Sequence, residues 1–345
     1  MSEKKNDELY KYNHTVGLVT NASYLTQNLA LLNTEDYFKA DCLAVAHEGH
    51  INYIPLVNTL RRCKYVPICG GCDRGKGIIK WMRWVKINND TYFVCLSTIG
   101  IQFYDIELTD VQFEFDFKEL NGRLSLPLGA CVLGDTLFVG TAMGMIVMFK
   151  SMDDCVKMTN HLQVSPFLYL EGANDCLVTV GREEMKSYKV EDGELNPVAV
   201  LKESLLLYSV LKIFDDNLFI GHHTGELSLM SFPNLNVIIK QKMHDGEILA
   251  IDYSSNKQIL LTAAEDLFFR AWKVNESQRT WDCIYEVKNE DRPYCGIGFT
   301  NRNCTEFCCV KSNSLIVDFY IETTEETFDS SDDDFITDID TVPLC

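Results

Sequence analysis

Long apolar runs are missing from this sequence. No stretch approaches the roughly 18 apolar residues that span a bilayer, and no apolar segment follows the polar start MSEKKNDELYKYNHT, so the pattern of a secretory leader is absent. The expected location is the cytoplasm, with vesicle association as a variant of it. Positive charge is also short: 31 Lys and Arg stand against 50 Asp and Glu, a net charge of -19. A chain this acidic repels phosphate backbones, which argues against general nucleic-acid binding. Helix-length periodicity is scarce. The segment DRGKGIIKWMRWV is the one serious candidate, and its β-branched and aromatic residues suit a strand equally well.

What the chain does have is apolar content, 46% of residues, and 14 cysteines. In a reducing compartment these are thiols, not a disulfide framework. Cys95, Cys131 and Cys176 sit inside apolar runs, where a thiol behaves as a small hydrophobe.

A unit of strand, turn and alternating strand recurs along the chain. Its copies span 42–56, 92–106, 137–150, 176–190, 218–232, 259–274 and 306–321, with starts 50, 45, 39, 42, 41 and 47 residues apart. That spacing is close to the roughly 40–45 residues of a four-stranded propeller blade. Further strand-like pieces flank each hairpin, joined by turns such as Gly134-Asp135 and Asp215-Asp216-Asn217. The expected fold is all-β, a seven-bladed β-propeller over residues 14–321. The last hairpin has no outer strand after it, because the sequence turns acidic. The alternating segment 14–20, HTVGLVT, is therefore expected to complete blade seven and seal the ring. Residues 1–13 and 322–345 are expected to be disordered.

Blade six contains a suggestive set. His244, Thr262 and Asp266 can be read as base, hydroxyl nucleophile and orienting acid, with Trp272 close by. The stretch MHDGE…LLTAAEDLFFRAWK resembles a WD40 repeat with Trp272-Lys273 in place of Trp-Asp. The resemblance implies a buried tetrad: Asp266 holds His244, His244 meets the Thr262 hydroxyl, and Thr262 accepts from the Trp272 indole. It implies structure and no catalysis. The other blades carry Glu48, Ile99, Met143 or Thr224 near the Asp position, so apolar packing is expected to hold them. The chain from about 15 to 321 further resembles the WD repeat-containing protein 54 family, through GIQFYDI, LFVGTAMGMIVMF and YCGIGFT. That likeness implies a single propeller that works through protein contacts and self-associates.

Two charged segments stand out from the propeller. Residues 61–86 hold eight Lys or Arg against one Asp, including Arg61, Arg62, Lys64, Arg74 and Lys76. Cys63, Cys69 and Cys72 lie in the same segment, with His47 or His50 as a fourth candidate ligand. Structural zinc wants four ligands at paired close spacings, and only Cys69/Cys72 fits. No metal and no cofactor is therefore expected. Residues 321–345 carry nine acidic residues and no Lys or Arg. Phe328 and Phe335 are candidate apolar anchors between the acidic clusters, and Ser330 and Ser331 precede Asp332–Asp334. His222 and His223 are expected to be exposed turn residues.

The function these features point to is a non-catalytic scaffold that binds other proteins, itself included, on its loop-rich faces. The basic segment and the acidic tail are auxiliary contacts. A vesicle-associated adaptor using the basic segment is the alternative. A propeller enzyme is a third class, disfavoured because no repeated inward Asp, Glu or His pattern is visible.

Overall fold

The computed structural model describes residues 9–32, 40–56, 63–68, 77–118, 126–152, 155–202, 208–275 and 278–323. Among them are 28 strands, grouped into seven four-stranded antiparallel sheets. Blade one comprises Ala30–Leu32, Cys42–His47, His50–Pro55 and Lys64–Pro67. Blades two to six follow in order, with first strands Ile79–Ile87, Pro127–Leu133, Tyr169–Ala173, Tyr208–Phe214 and Ile248–Ser254. Blade seven is Tyr294–Phe299, Glu306–Lys311, Ile316–Glu322 and, from the other end of the chain, Tyr10–Gly17. The segment expected to be helical or extended, around Ile79–Ile87, is strand.

Local chemistry sets the hairpins. Four of the turns between first and second strands have two residues, with Asn88, Gly134, Asn174 and Asp215 at their first positions in the left-handed region. Asn, Asp and Gly tolerate that conformation best. The Asp192-Gly193 pair has both residues at positive φ, the backbone of a tight hairpin between strongly twisted strands.

Packing closes the ring. Each of the seven apolar cores bridges two neighbouring blades, from blades one and two around to blades seven and one. Each sheet is thus covered on both faces, and its second strand is buried over most or all of its length. Thr136–Thr141 and Ile259–Ala264 are examples. Strands covered this way read as near-continuous apolar runs.

The closing strand differs in its limits from the expected 14–20. It runs Tyr10–Gly17 and pairs with Ile316–Glu322, with a bulge between Tyr12 and His14. Residues 10–13 therefore belong to the strand, and 18–20 lie beyond its end. The cause is Tyr10, which is fully buried between Tyr285 and Phe307 and donates its hydroxyl to the Cys304 carbonyl. Past Gly17 the backbone turns toward blade one, where the Asn52 amide oxygen accepts from the Val19 and Thr20 N–H groups at 3.1 and 3.0 Å.

Outer strands are protected individually. Blade four's outer strand, Glu194–Lys202, carries Pro197, a residue that blunts an edge by removing a donor. Gln241 of blade five meets the outer strand of blade six with its amide, donating to and accepting from the Trp281 backbone at 2.7 Å each.

Candidate functional site

Blade six brings His244, Thr262, Asp266 and Trp272 together. Thr262 and Trp272 lie on the paired strands Ile259–Ala264 and Phe268–Asn275, where Thr262 faces Arg270 and Leu260 faces Trp272. That register makes Thr262 and Trp272 diagonal neighbours on one face. His244 arrives on the loop from blade five, and Asp266 sits in the blade-six turn. The loop is seated on Gly225. Gly225 has φ +80°, and a β-carbon there would stand 2.0 Å from the His244 carbonyl oxygen, so no other residue fits without displacing the loop.

The hydrogen bonds run in one direction. The Trp272 indole N–H donates to Thr262 Oγ1 at 2.7 Å. The Thr262 hydroxyl then donates to His244 Nε2 at 2.7 Å. His244 Nδ1–H donates to the Asp266 carboxylate, 3.0 Å from each oxygen. The tautomer follows from this network. Burial lowers the His244 pKa against the pull of Asp266, so the ring is neutral at neutral pH. Burial alone would raise the Asp266 carboxyl, but the bonds from His244 and Arg270 outweigh it and hold it well below the usual range.

Arg270 was not singled out by the sequence, yet it completes the relay. Its Nη1 donates to Asp266 Oδ2 at 2.9 Å and to the Met243 carbonyl at 3.2 Å. Its Nε donates to Glu286, and its guanidinium covers Phe268 at 4.2 Å. Thr262 is fully buried. The catalytic assignment needs that hydroxyl to meet a substrate, and here it is boxed between an indole and an imidazole.

Blade five corrects two expectations. His222 is buried, not an exposed turn residue: its Nε2 is 3.0 Å from Ser228 Oγ, and its ring stands edge-on to Tyr208. Apolar packing is thus not the whole of what holds the blades without the tetrad. Blade two has a buried Ser97–Gln102 bond and blade seven a Thr300–Glu306 bond. His223 is the exposed one of the pair and contacts Glu247 at 2.8 Å.

A pH dependence follows from His222. Burial first, then the charge of Lys240, pushes its pKa down to about 4, with Glu226 opposing and His223 adding to the fall. Below about 6.5 the unfolded chain binds a proton that the native ring does not, so stability is complete above that pH and erodes toward pH 4. The loss totals about 3 kcal/mol. Urea midpoints between pH 7 and 4 should fall less steeply in His222→Gln than in the parent; equal slopes would rule the assignment out.

The metal and basic-segment candidates are only partly within the described residues. Cys69, Cys72, Arg61, Arg62, Arg74 and Lys76 lie outside them, as do Phe328 and Phe335 of the tail. Cys63 packs against the core between blades seven and one, and burial raises its thiol pKa. His50 stacks on Tyr65 at 4.3 Å. Among the described residues no group of three His, Cys, Asp or Glu is placed to hold a metal ion. Lys64 donates to the Glu107 carbonyl at 3.2 Å and lies over Tyr53, so it is tied down locally. The described cysteines form no disulfides. Burial raises the thiol pKa of Cys42 and Cys295 to about 12 and holds that of Cys95 well above its ordinary value.

The central channel is lined by the first strands of the blades. It brings Arg83, Glu171, Lys212 and Asp252 into one region. Arg83 Nη1 donates to Glu171 Oε1 at 2.8 Å, and Asp252 accepts the Phe299 N–H at 2.8 Å. Four charges from four blades converge here, although no repeated inward acid pattern is visible in the sequence.

The inter-blade loops and the turns between second and third strands open on one face; the bonds from Met243 and His244 N–H to the Gly225 carbonyl show the two meeting. On that face Val19, Tyr24, Ile78, Met143 and Leu315 are 51, 54, 51, 49 and 56% exposed.

No family model and no curated protein matches the chain. Likeness to solved structures is extensive, with 1708 matching chains, so the fold is widely shared and does not by itself specify a function. One of them, from the "Crystal Structure of Mitotic Checkpoint Complex", has a TM-score of 0.68 at 10% identity, over 93% of this chain and 95% of that one. At that identity the likeness establishes a seven-bladed β-propeller, and the fold is what this chain shares with it.

Proposed function

We propose that this propeller is a non-catalytic scaffold that binds other proteins on its loop-bearing face. One observation carries the reading: five large apolar side chains, each about half exposed, stand on that face. Exposed apolar groups on a face built of loops are surface that another protein can cover. The chain of similar fold from the structure of a mitotic checkpoint complex supports it by analogy, since that structure is of a complex. The narrower likeness to the WD repeat-containing protein 54 family adds self-association to the proposal. Arg61, Arg62, Lys64, Arg74 and Lys76 with the acidic tail, through Phe328 and Phe335, are proposed as auxiliary contacts. The working compartment in this reading is the cytoplasm.

The test is proximity labelling in cells. Val19→Asp/Leu315→Asp should lose partners that Met152→Asp, on the opposite face, retains. Both should melt within a few degrees of the parent, because exposed substitutions rarely shift stability much. Identical partner sets for the two variants would refute the loop-face assignment. A chain ending at residue 321 that keeps every partner would remove the tail from it.

A further inference from the structure

We propose that the central channel binds a small oxyanion, of the phosphate or carboxylate class, between Lys212 and Arg83. Both side chains line both cavities of the channel, which measure about 200 and 90 Å³. At roughly 30 Å³ per water molecule the larger has room for a phosphate-sized ion with some hydration.

The two cations are differently placed. Arg83 rests against the Trp81 ring at 5.3 Å and spends one hydrogen bond on Glu171. A guanidinium has five N–H donors, so most of its fork remains available. Lys212, in Tyr208–Phe214, has no carboxylate within ion-pair distance among the described residues. Two acids lie near it: Glu171 is paired with Arg83, and Asp252, which accepts the Phe299 N–H, acts on Lys212 across the cavity without closing an ion pair.

The electrostatics agree with this geometry. Burial first, and then the like charge of Arg83, lowers the Lys212 amine to about 8; Glu171 and Asp252 oppose this more weakly. Arg83 thus outweighs either acid as a neighbour of Lys212. Two positive groups sharing a confined, partly desolvated space repel. An oxyanion between them converts that repulsion into two charge-assisted contacts. The site faces a channel within a ring, so a polymeric anion does not fit it, and the net charge of -19 on the chain disfavours one.

The experiment is calorimetric titration of the full chain with inorganic phosphate, and separately acetate, at constant ionic strength set by chloride. The parent should bind one ion saturably. Lys212→Gln should weaken it at least about tenfold, the usual worth of a charged hydrogen bond, while Lys212→Arg retains it and the exposed Lys273→Gln changes nothing. Saturation by phosphate alone would assign the site to phosphate groups; saturation by both, to oxyanions generally. A readout independent of any variant is the pH profile of the parent. Binding should weaken from pH 8 to 10 as Lys212 loses its proton. Absence of saturable binding, equal binding in parent and Lys212→Gln, or a flat profile would each overturn the proposal.

Discussion

Removing residues 1–17 is expected to unfold or oligomerise the ring rather than merely shorten it. The deletion strips the outer strand from blade seven and leaves Ile316–Glu322 as a bare edge. An unpaired edge of that length is a template for other chains. It also opens the core between blades six and seven, where Tyr10 is fully buried. Tyr10→Ala isolates that part of the effect. Truncating a buried aromatic costs about 3–5 kcal/mol, so urea denaturation should show a loss of that order with the strand still paired. Size-exclusion with light scattering should find the deletion aggregated or dimeric. A deletion product that is monomeric and melts with the parent would show that the closing strand contributes nothing.

Thr262→Val should destabilise the ring by about 2–6 kcal/mol, although it changes almost no volume. Valine fills the same space but leaves His244 Nε2 and the Trp272 indole N–H without their shared partner. Each unsatisfied buried group costs about 1–3 kcal/mol. Thr262→Ser keeps the hydroxyl and loses one methyl, so it should cost about 1 kcal/mol. The comparison separates hydrogen bonding from packing in urea unfolding. If valine proves no worse than serine, the relay is not what holds this blade. Combining Thr262→Val with Trp272→Phe should cost less than the sum of the two, since the second change removes a donor the first had stranded.

The relay was largely legible because its four members fall within 29 residues of sequence and belong to one hairpin and its approach loop. Arg270 was missed for a local reason: a strand residue facing Thr262 looks like any exposed alternation partner until the Asp266 turn folds back on it. His222 was missed because it adjoins His223, and only the tertiary placement of Tyr208 and Ser228 decides which of the two rings turns inward. The closing strand lies in the expected blade but starts four residues earlier and ends three earlier, because Tyr10 sits in a polar stretch and its pocket is supplied by residues near 285 and 307.

Fold class, blade number and the position of each hairpin were determined by the sequence itself. They depend on short-range alternation, turn residues and a repeat near 40 residues, all of which are local. The direction each side chain takes within the ring was decided only by the tertiary structure. A blade is covered on both faces, so its inner strands are apolar on both sides and the alternation that marks inside from outside in a one-sided sheet is lost. Arg83, Glu171, Lys212 and Asp252 stand on four different blades, and Val19 and Leu315 almost 300 positions apart; only closure of the ring brings either set together. The channel charges and the apolar loop face are therefore products of assembly, while the relay of blade six was already written in one stretch of chain.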